Sequence, residues 1–322
     1  TGYCVGVLSD SIFDGRGGVQ IPPATYPGLH VGSLDQVSGD LPPAVWVIDP
    51  GPGGGSDEGN AMAQIVYDLA PGCGIAYASA SSGYFLFAGN ILALANDATS
   101  PSQVIVDDYI YYSEPMYQNG PIAICANTVV TSGVPYFTAA ANFSANGHER
   151  NYNDTGVFDG GPVGVGNDLH DFGLASGAGV DPYLTFSIGA PGGSVVASLH
   201  WDEPYGGGLA QGPGAGADLD LYLLSSPAPP GTGGNIMKQS VTMQGTIAAP
   251  AGDACEELVE LTLPAGTYHL CINHANNATG GRNDLSVPPL KLSLIVKISG
   301  GPVGTQINDA AYLGDRTIYG HS

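Results

Sequence analysis

The sequence predicts two domains of different class: an α/β domain on a parallel sheet over residues 1–166, and an all-β antiparallel sandwich over 167–300. Three observations predict them. Up to about residue 166, short apolar runs of buried-strand type alternate with helix-patterned segments. From about His170 onward, apolar residues recur at every second position. Gly 50 and Pro 25 punctuate both halves with turn signals. Residues 301–322 follow neither pattern and read as a connector or a return segment. No internal repeat is visible.

In order, Cys4-Val-Gly-Val-Leu-Ser-Asp10 is a first strand ending in an acid, and Gly15 to Pro43 a long connection. Val45-Trp-Val-Ile-Asp49 is a second strand. Gly55 to Pro71 holds a helix that Ser56 or Asp57 can cap, with Asp57 and Glu58 where the dipole favours negative charge and Pro71 at the stop. Met62, Ile65, Val66 and Leu69 form its apolar face. Gly74 to Ser79 is a strand, Phe85 to Asn96 a helix, and Val104 to Asp108 a buried strand ending in two acids. Pro121 opens a helix reaching Ser132, and Val134 to Ala141 is a strand running into Asn142. Alternation of this kind places helices on both faces of a parallel sheet, with strand-end acids at its carboxyl edge.

The second half reads as half-buried strands at 184–188, 195–201, 218–224, 258–263, 266–272 and 290–298. Trp201 and Tyr205 are core candidates, with sugar binding as the alternative. Asp218 and Asp220 share one strand face, either solvated or, with Asp202 and Glu203, binding Ca²⁺; no ligand loop of known spacing accompanies them. No other metal or cofactor is expected, because the His residues show no HExxH or His-x-His arrangement.

Seven Lys+Arg against 29 Asp+Glu give a formal charge of −22, which repels phosphate backbones and anionic lipid, so nucleic acid and membrane insertion are excluded as partners. No 18-residue apolar run exists. The five cysteines show no CxxC spacing. Cys255 and Cys271 flank a strand pair and are expected to form a disulfide; the pairing of Cys4, Cys73 and Cys125 stays open. Asn142, Asn153 and Asn277 stand in glycosylation sequons. Scarce lysine, dense glycine, a disulfide and a start at Thr1 without a basic, apolar leader suggest a processed, extracellular protein.

Three of these strand and helix ends resemble the subtilisin-like peptidases and their sedolisin relatives. Gly6-Val-Leu-Ser-Asp10 is similar to the strand whose last residue is the triad Asp. Asp57-Glu58-Gly-Asn-Ala-Met resembles the helix opening that reads His-Gly-Thr in subtilisins, with Glu58 in the His position as in sedolisins. Thr138-Ala-Ala-Ala-Asn142 resembles the strand that ends in the oxyanion-hole Asn, normally written Ala-Ala-Gly-Asn. The resemblance implies that Glu58 is a general base, that Asp10 orients it or shares its proton, and that Asn142 donates to an oxyanion. Asp107 and Asp108 either line the same cleft or cap the next loop.

Asp218-Leu-Asp-Leu-Tyr-Leu-Leu224 and Leu263 to Leu270 resemble β-sandwich modules attached to or inserted in secreted peptidases. Thr317 to Ser322 then looks like the return to the α/β domain.

The family's nucleophile motif, Gly-Thr-Ser-x-Ala, is absent. Gly193-Ser194 is the nearest likeness, at a strand start. Two functions follow as expectations. The chain is an inactive, subtilase-derived extracellular subunit that assembles with copies of itself into a filament. Alternatively it is the front portion of a secreted peptidase whose Ser-bearing segment lies beyond Ser322.

Overall fold

In the computed structural model the described residues are 2–15, 18–22, 24–143, 146–158, 168–173, 179–207, 212–245, 250–275 and 290–299. They fall into two compact units, one of residues 2–111 with 119–141, the other of 112–118 with 142–299.

The first unit runs β1 (Cys4–Ser9), β2 (Gly18–Ile21), β3 (Gly28–Ser33), α1 (Leu34–Ser38), β4 (Val45–Asp49), α2 (Glu58–Leu69), β5 (Gly74–Ser79), α3 (Tyr84–Asn96), β6 (Val104–Asp107), α4 (Pro121–Thr131) and β7 (Tyr136–Thr138). Its sheet has the order β2-β3-β4-β5-β1-β6-β7. From β4 to β7 every pairing is parallel, while β2 and β3 add an antiparallel edge.

Side-chain alternation along the central strands divides the core. Val7, Ile75 and Tyr77 face α2 through Ala63, with Met62 and Val66 packed alongside. Leu8, Ala76 and Ala78 face the other way, against Phe87, Ile91 and Leu94 of α3 and Ile122 and Val129 of α4. Each fully buried large side chain here contributes on the order of 1.5–3 kcal/mol. The apolar face expected for α2 is narrower than its periodicity implies: Ile65 is 61% and Leu69 84% exposed. Small Gly59 and Ala63 form the contact instead, because the helix lies close on the sheet. β3 and α1 fall inside the stretch read as a long connection. A capping box between Ser33 and Gln36 holds that short helix.

The second unit runs β8 (Gly147–Asn151), β9 (Asp154–Phe158), β10 (Asp168–His170), β11 (Leu184–Ile188), β12 (Gly193–Trp201), β13 (Leu219–Leu224), β14 (Ile236–Ser240), β15 (Cys255–Leu263), β16 (Gly266–His274) and β17 (Lys291–Ser299). One sheet has the order β14-β13-β16-β10-β9, with β11 also on β16; the other is β15-β12-β17-β8. Leu219, Leu221, Leu223, Leu270 and Ile272 of the first share one core with Val195, Leu199, Leu292 and Leu294 of the second. Trp201 and Tyr205 are buried in that core. The boundary expected at 166/167 falls earlier, because β8 pairs with β17 and β9 with β10. Residues 301–322 lie outside the described residues.

The disulfide expected between Cys255 and Cys271 is not formed, and all five cysteines are thiols. Cys255 packs at the central core, whereas Cys271 sits with Tyr222 and Leu169 in a separate cluster. Leu270 and Ile272, its neighbours along β16, point into the central core, so Cys271 projects from the opposite face. Burial pushes the Cys255 thiol up to about 12. Ellman's reagent should therefore count all five thiols in denaturant without prior reduction, and in folded protein Cys255 should react slowly. A denatured count lowered by two would restore the bridge.

Candidate active site

The connection leaving β1 leads toward β4, and the one leaving β6 leads to β7 on the other side. Such a divergence opens a crevice at the carboxyl ends of the two adjacent strands. Asp10 follows β1, Asp107 ends β6, Asp108 comes next, and Glu58 opens α2.

Asp10 is the hub. Its carboxylate accepts hydrogen bonds from the Ser11 amide at 2.6 Å, the Glu58 amide at 3.1 Å, the Ser56 hydroxyl at 2.6 Å and the Ser56 amide. Burial opposes ionisation, but the donors of Ser56 and Ser11 outweigh it and hold the carboxyl below its ordinary range. Asp10 thus caps α2 from across the sheet edge. The capping expected from Ser56 or Asp57 is not made, since the helix has no side-chain cap of its own. Ser11 donates no amide to the helix; its hydroxyl oxygen accepts from the Asp57 amide at 2.8 Å. The Asp57 carboxylate turns back and accepts from the Asp14 and Gly15 amides, each at 2.7 Å. Asp57 itself has φ 62, a left-handed conformation that Asp tolerates better than most residues.

Gly59 makes this closeness feasible. A Cβ there would stand 2.6 Å from the Ser11 carbonyl oxygen and 2.8 Å from the Tyr77 ring.

Glu58 is exposed, at the mouth of the crevice. Asp108 is half-buried, and its Oδ1, shielded from solvent, has no hydrogen-bond partner among the described residues. Burial raises its pKa to about 6, the Ser9 hydroxyl pulls the other way, and the charges of Glu58 and Asp10 add to the rise. Asp107 is 3% exposed and accepts from the Thr138 hydroxyl at 3.0 Å. Burial pushes it to about 7; Tyr136 and Thr138 partly offset this, and Asp108 adds to it. Asp107 therefore joins β6 to β7, while Asp108 senses the crevice charges.

The Glu58 backbone amide meets the Asp10 carboxylate. A carboxyl shared between them is not what forms: the hydrogen bond runs from the Glu58 amide, and the protonatable neighbour is Asp108. Asn142 is exposed and belongs to the other unit. Just before it, Ala141 has φ 61, a conformation suited to glycine. Ser11, which directly follows the strand-end acid, carries no signal in the sequence, and Ser56, expected to cap α2, donates to Asp10 instead.

The remaining candidates lie elsewhere. Ser194 is at the start of β12, with its hydroxyl 2.7 Å from that of Ser299 and no base beside it. Ser198 does meet His200 at 2.9 Å, but both are fully buried. Asp218 and Asp220 are not on a solvated face; they are 6% and 7% exposed. Asp218 accepts from the Gln244 amide, and Asp220 from the Tyr222 hydroxyl at 3.0 Å. Glu203 and Asp202 bind backbone amides of Gly216, Ala217 and Lys291. Among the described residues no three His, Cys, Asp or Glu side chains form a metal site. Of the sequons, Asn142 is exposed, Asn153 donates to Asp171 at 3.3 Å, and Asn277 lies outside the described residues.

Two outcomes test this electrostatic arrangement. Glu58→Gln should lower the Asp108 midpoint from about 6, read by carboxyl carbon NMR, because one repelling charge is removed. For Asp107, the folded pKa of about 7 exceeds the ordinary 3.8, so its contribution to stability is complete below about pH 4 and lost as pH rises through 7. Protection of β1 and β5 amides from hydrogen exchange should fall over that window, and Asp107→Asn should flatten the fall.

No protein-family model matches the chain, and no curated protein matches it.

Proposed function

We propose that this chain carries the acid-bearing half of a subtilisin/sedolisin-like serine peptidase site, and that the attacking serine comes from polypeptide outside these 322 residues. The observation that carries the reading is the bond from the Glu58 amide to Asp10 at the switch point of a parallel sheet, with the charges of both acids acting on Asp108. An exposed carboxylate at a helix mouth can take a hydroxyl proton. Buried carboxyls that titrate near 6 and 7 cost stability in a purely structural role, which favours a chemical one.

Glu58 is the general base. Burial raises Asp108 to about 6, so its protonation below that pH removes one of the charges acting on Glu58. Asp10 keeps its charge and fixes the mouth of α2. The left-handed Ala141 stands where the resemblance implies glycine.

A second reading, a subunit that assembles with copies of itself, is favoured by the β7 end of the sheet. Phe137 on that edge strand is 60% exposed, and Ile124 and Val130 on α4 are 52% and 50% exposed. An apolar, strand-edged surface recruits another chain. The same surface equally suits a Ser-bearing segment that extends the sheet. With no disulfide formed, the proposed extracellular address rests on the acidic, lysine-poor composition.

The test is the gene product with its reading frame extended past Ser322. A fluorophosphonate probe at pH 4–5 should label a serine in the added segment. Glu58→Gln should slow labelling by about 10²–10⁴-fold. Labelling that ignores Glu58→Gln, or a frame that encodes no further polypeptide while the protein forms filaments, would hand the case to the second reading. Ala141→Gly should leave labelling intact and stabilise the fold by up to about 1 kcal/mol.

A further inference from the structure

Beside the acidic crevice, the first unit has a half-open pocket of about 160 Å³ whose walls include Ile12, Phe13, Tyr26, His30, Val47 and Pro50. It shares both its loops with the crevice. The turn 11–15 is anchored by Asp57 on one side and lines the cavity on the other. The loop before α2 lines the cavity with Gly51 and Gly53 and binds Asp10 with Ser56.

Phe13 and His30 build one wall, their rings stacked with centroids 4.0 Å apart and 13° between planes. Phe13 reaches that position with φ 67, a left-handed conformation that a bulky residue adopts only when its surroundings enforce it. Burial lowers the His30 pKa, so the wall is uncharged near neutrality. Tyr26, 41% exposed, and the exposed acid Asp14 stand at the rim.

We propose that this cavity is a binding subsite for an aromatic side chain of a peptide laid along the carboxyl edge of the sheet. The assignment of a peptide ligand rests on the peptidase reading; the selectivity follows from the cavity alone. Its lining is about as polar as apolar, and roughly 150 Å³ is enough to admit a benzene ring. Stacked and edge-on partners are present in Phe13, His30 and Tyr26. Asp14 at the rim disfavours an acidic side chain.

The experiment uses this chain and two probes, N-acetyl-phenylalaninamide and N-acetyl-aspartamide, titrated with the aromatic carbon–proton signals of Phe13 and His30 observed by NMR. The phenylalanine probe should shift both rings saturably, and the aspartate probe at least about tenfold more weakly. Phe13→Gly removes the ring while suiting the left-handed backbone; with its amide spectrum confirming the folded state, it should weaken the phenylalanine probe about tenfold. Tyr26→Ala, at the exposed rim, should weaken it less. Equal response to both probes, no saturable shift, or full affinity in Phe13→Gly would overturn the subsite. If the subsite binds while the extended chain shows no labelling, the subsite stands and the peptidase reading falls. Labelling without probe binding gives the reverse.

Discussion

The first unit depends on the ionised carboxylate of Asp10. It sits at the end of the central strand and receives the amides that α2 leaves unsatisfied at its start. The positive end of the helix dipole and the negative charge reinforce each other, an interaction of about 0.3–2 kcal/mol. Because the cap comes from β1 rather than from the helix, the same contact also fixes where α2 lies on the sheet. Gly59 makes the approach short enough, and Asp57, relieved of capping, ties down the turn after β1. Asp10, Asp57 and Gly59 thereby join strand, helix and turn into one structure.

That structure sets the electrostatics of the crevice. Asp10 is committed to donors and stays charged. Asp108 meets no donor at Oδ1 and feels two neighbouring charges, so it keeps a proton into mildly acidic conditions. Two carboxyls of one residue type, a few residues from adjacent strand ends, are thus driven in opposite directions by hydrogen bonding and burial. This separation of proton-holding and charge-holding groups is what acid–base chemistry requires. The stacked Phe13 and His30 stand behind the same turn, so one anchoring contact shapes both the crevice and the pocket beside it.

The sandwich shows a different logic. One group of its buried polar side chains is satisfied internally, the chain Ser198–His200–Tyr205, whose contacts are 2.9 Å and 2.7 Å. Burial drives His200 to about 4, leaving it neutral and suited to bridge two hydroxyls. Such networks specify packing without offering a reactant a way in. A serine beside a histidine is here a structural pair, and only its burial distinguishes it from a nucleophile.

Periodicity in the chain already determined the two classes of layer, the parallel strands from β4 to β6 and the sandwich strands β11 to β13 and β15 to β17, because their buried faces need apolar residues at a fixed repeat. It also determined that Asp10, Glu58, Asp107 and Asp108 stand at strand and helix ends. The short pieces escaped: β2, β3, β8, β9, β10 and β14 carry too few apolar residues to show a repeat, and long-range pairing holds them. Tertiary structure decided what each acid does, since ionisation depends on which donors arrive from distant segments: Ser56 at Asp10, none at Oδ1 of Asp108. It also decided that Cys271 turns away from Cys255, because strand register sets the face of a side chain and the spacing of two cysteines does not.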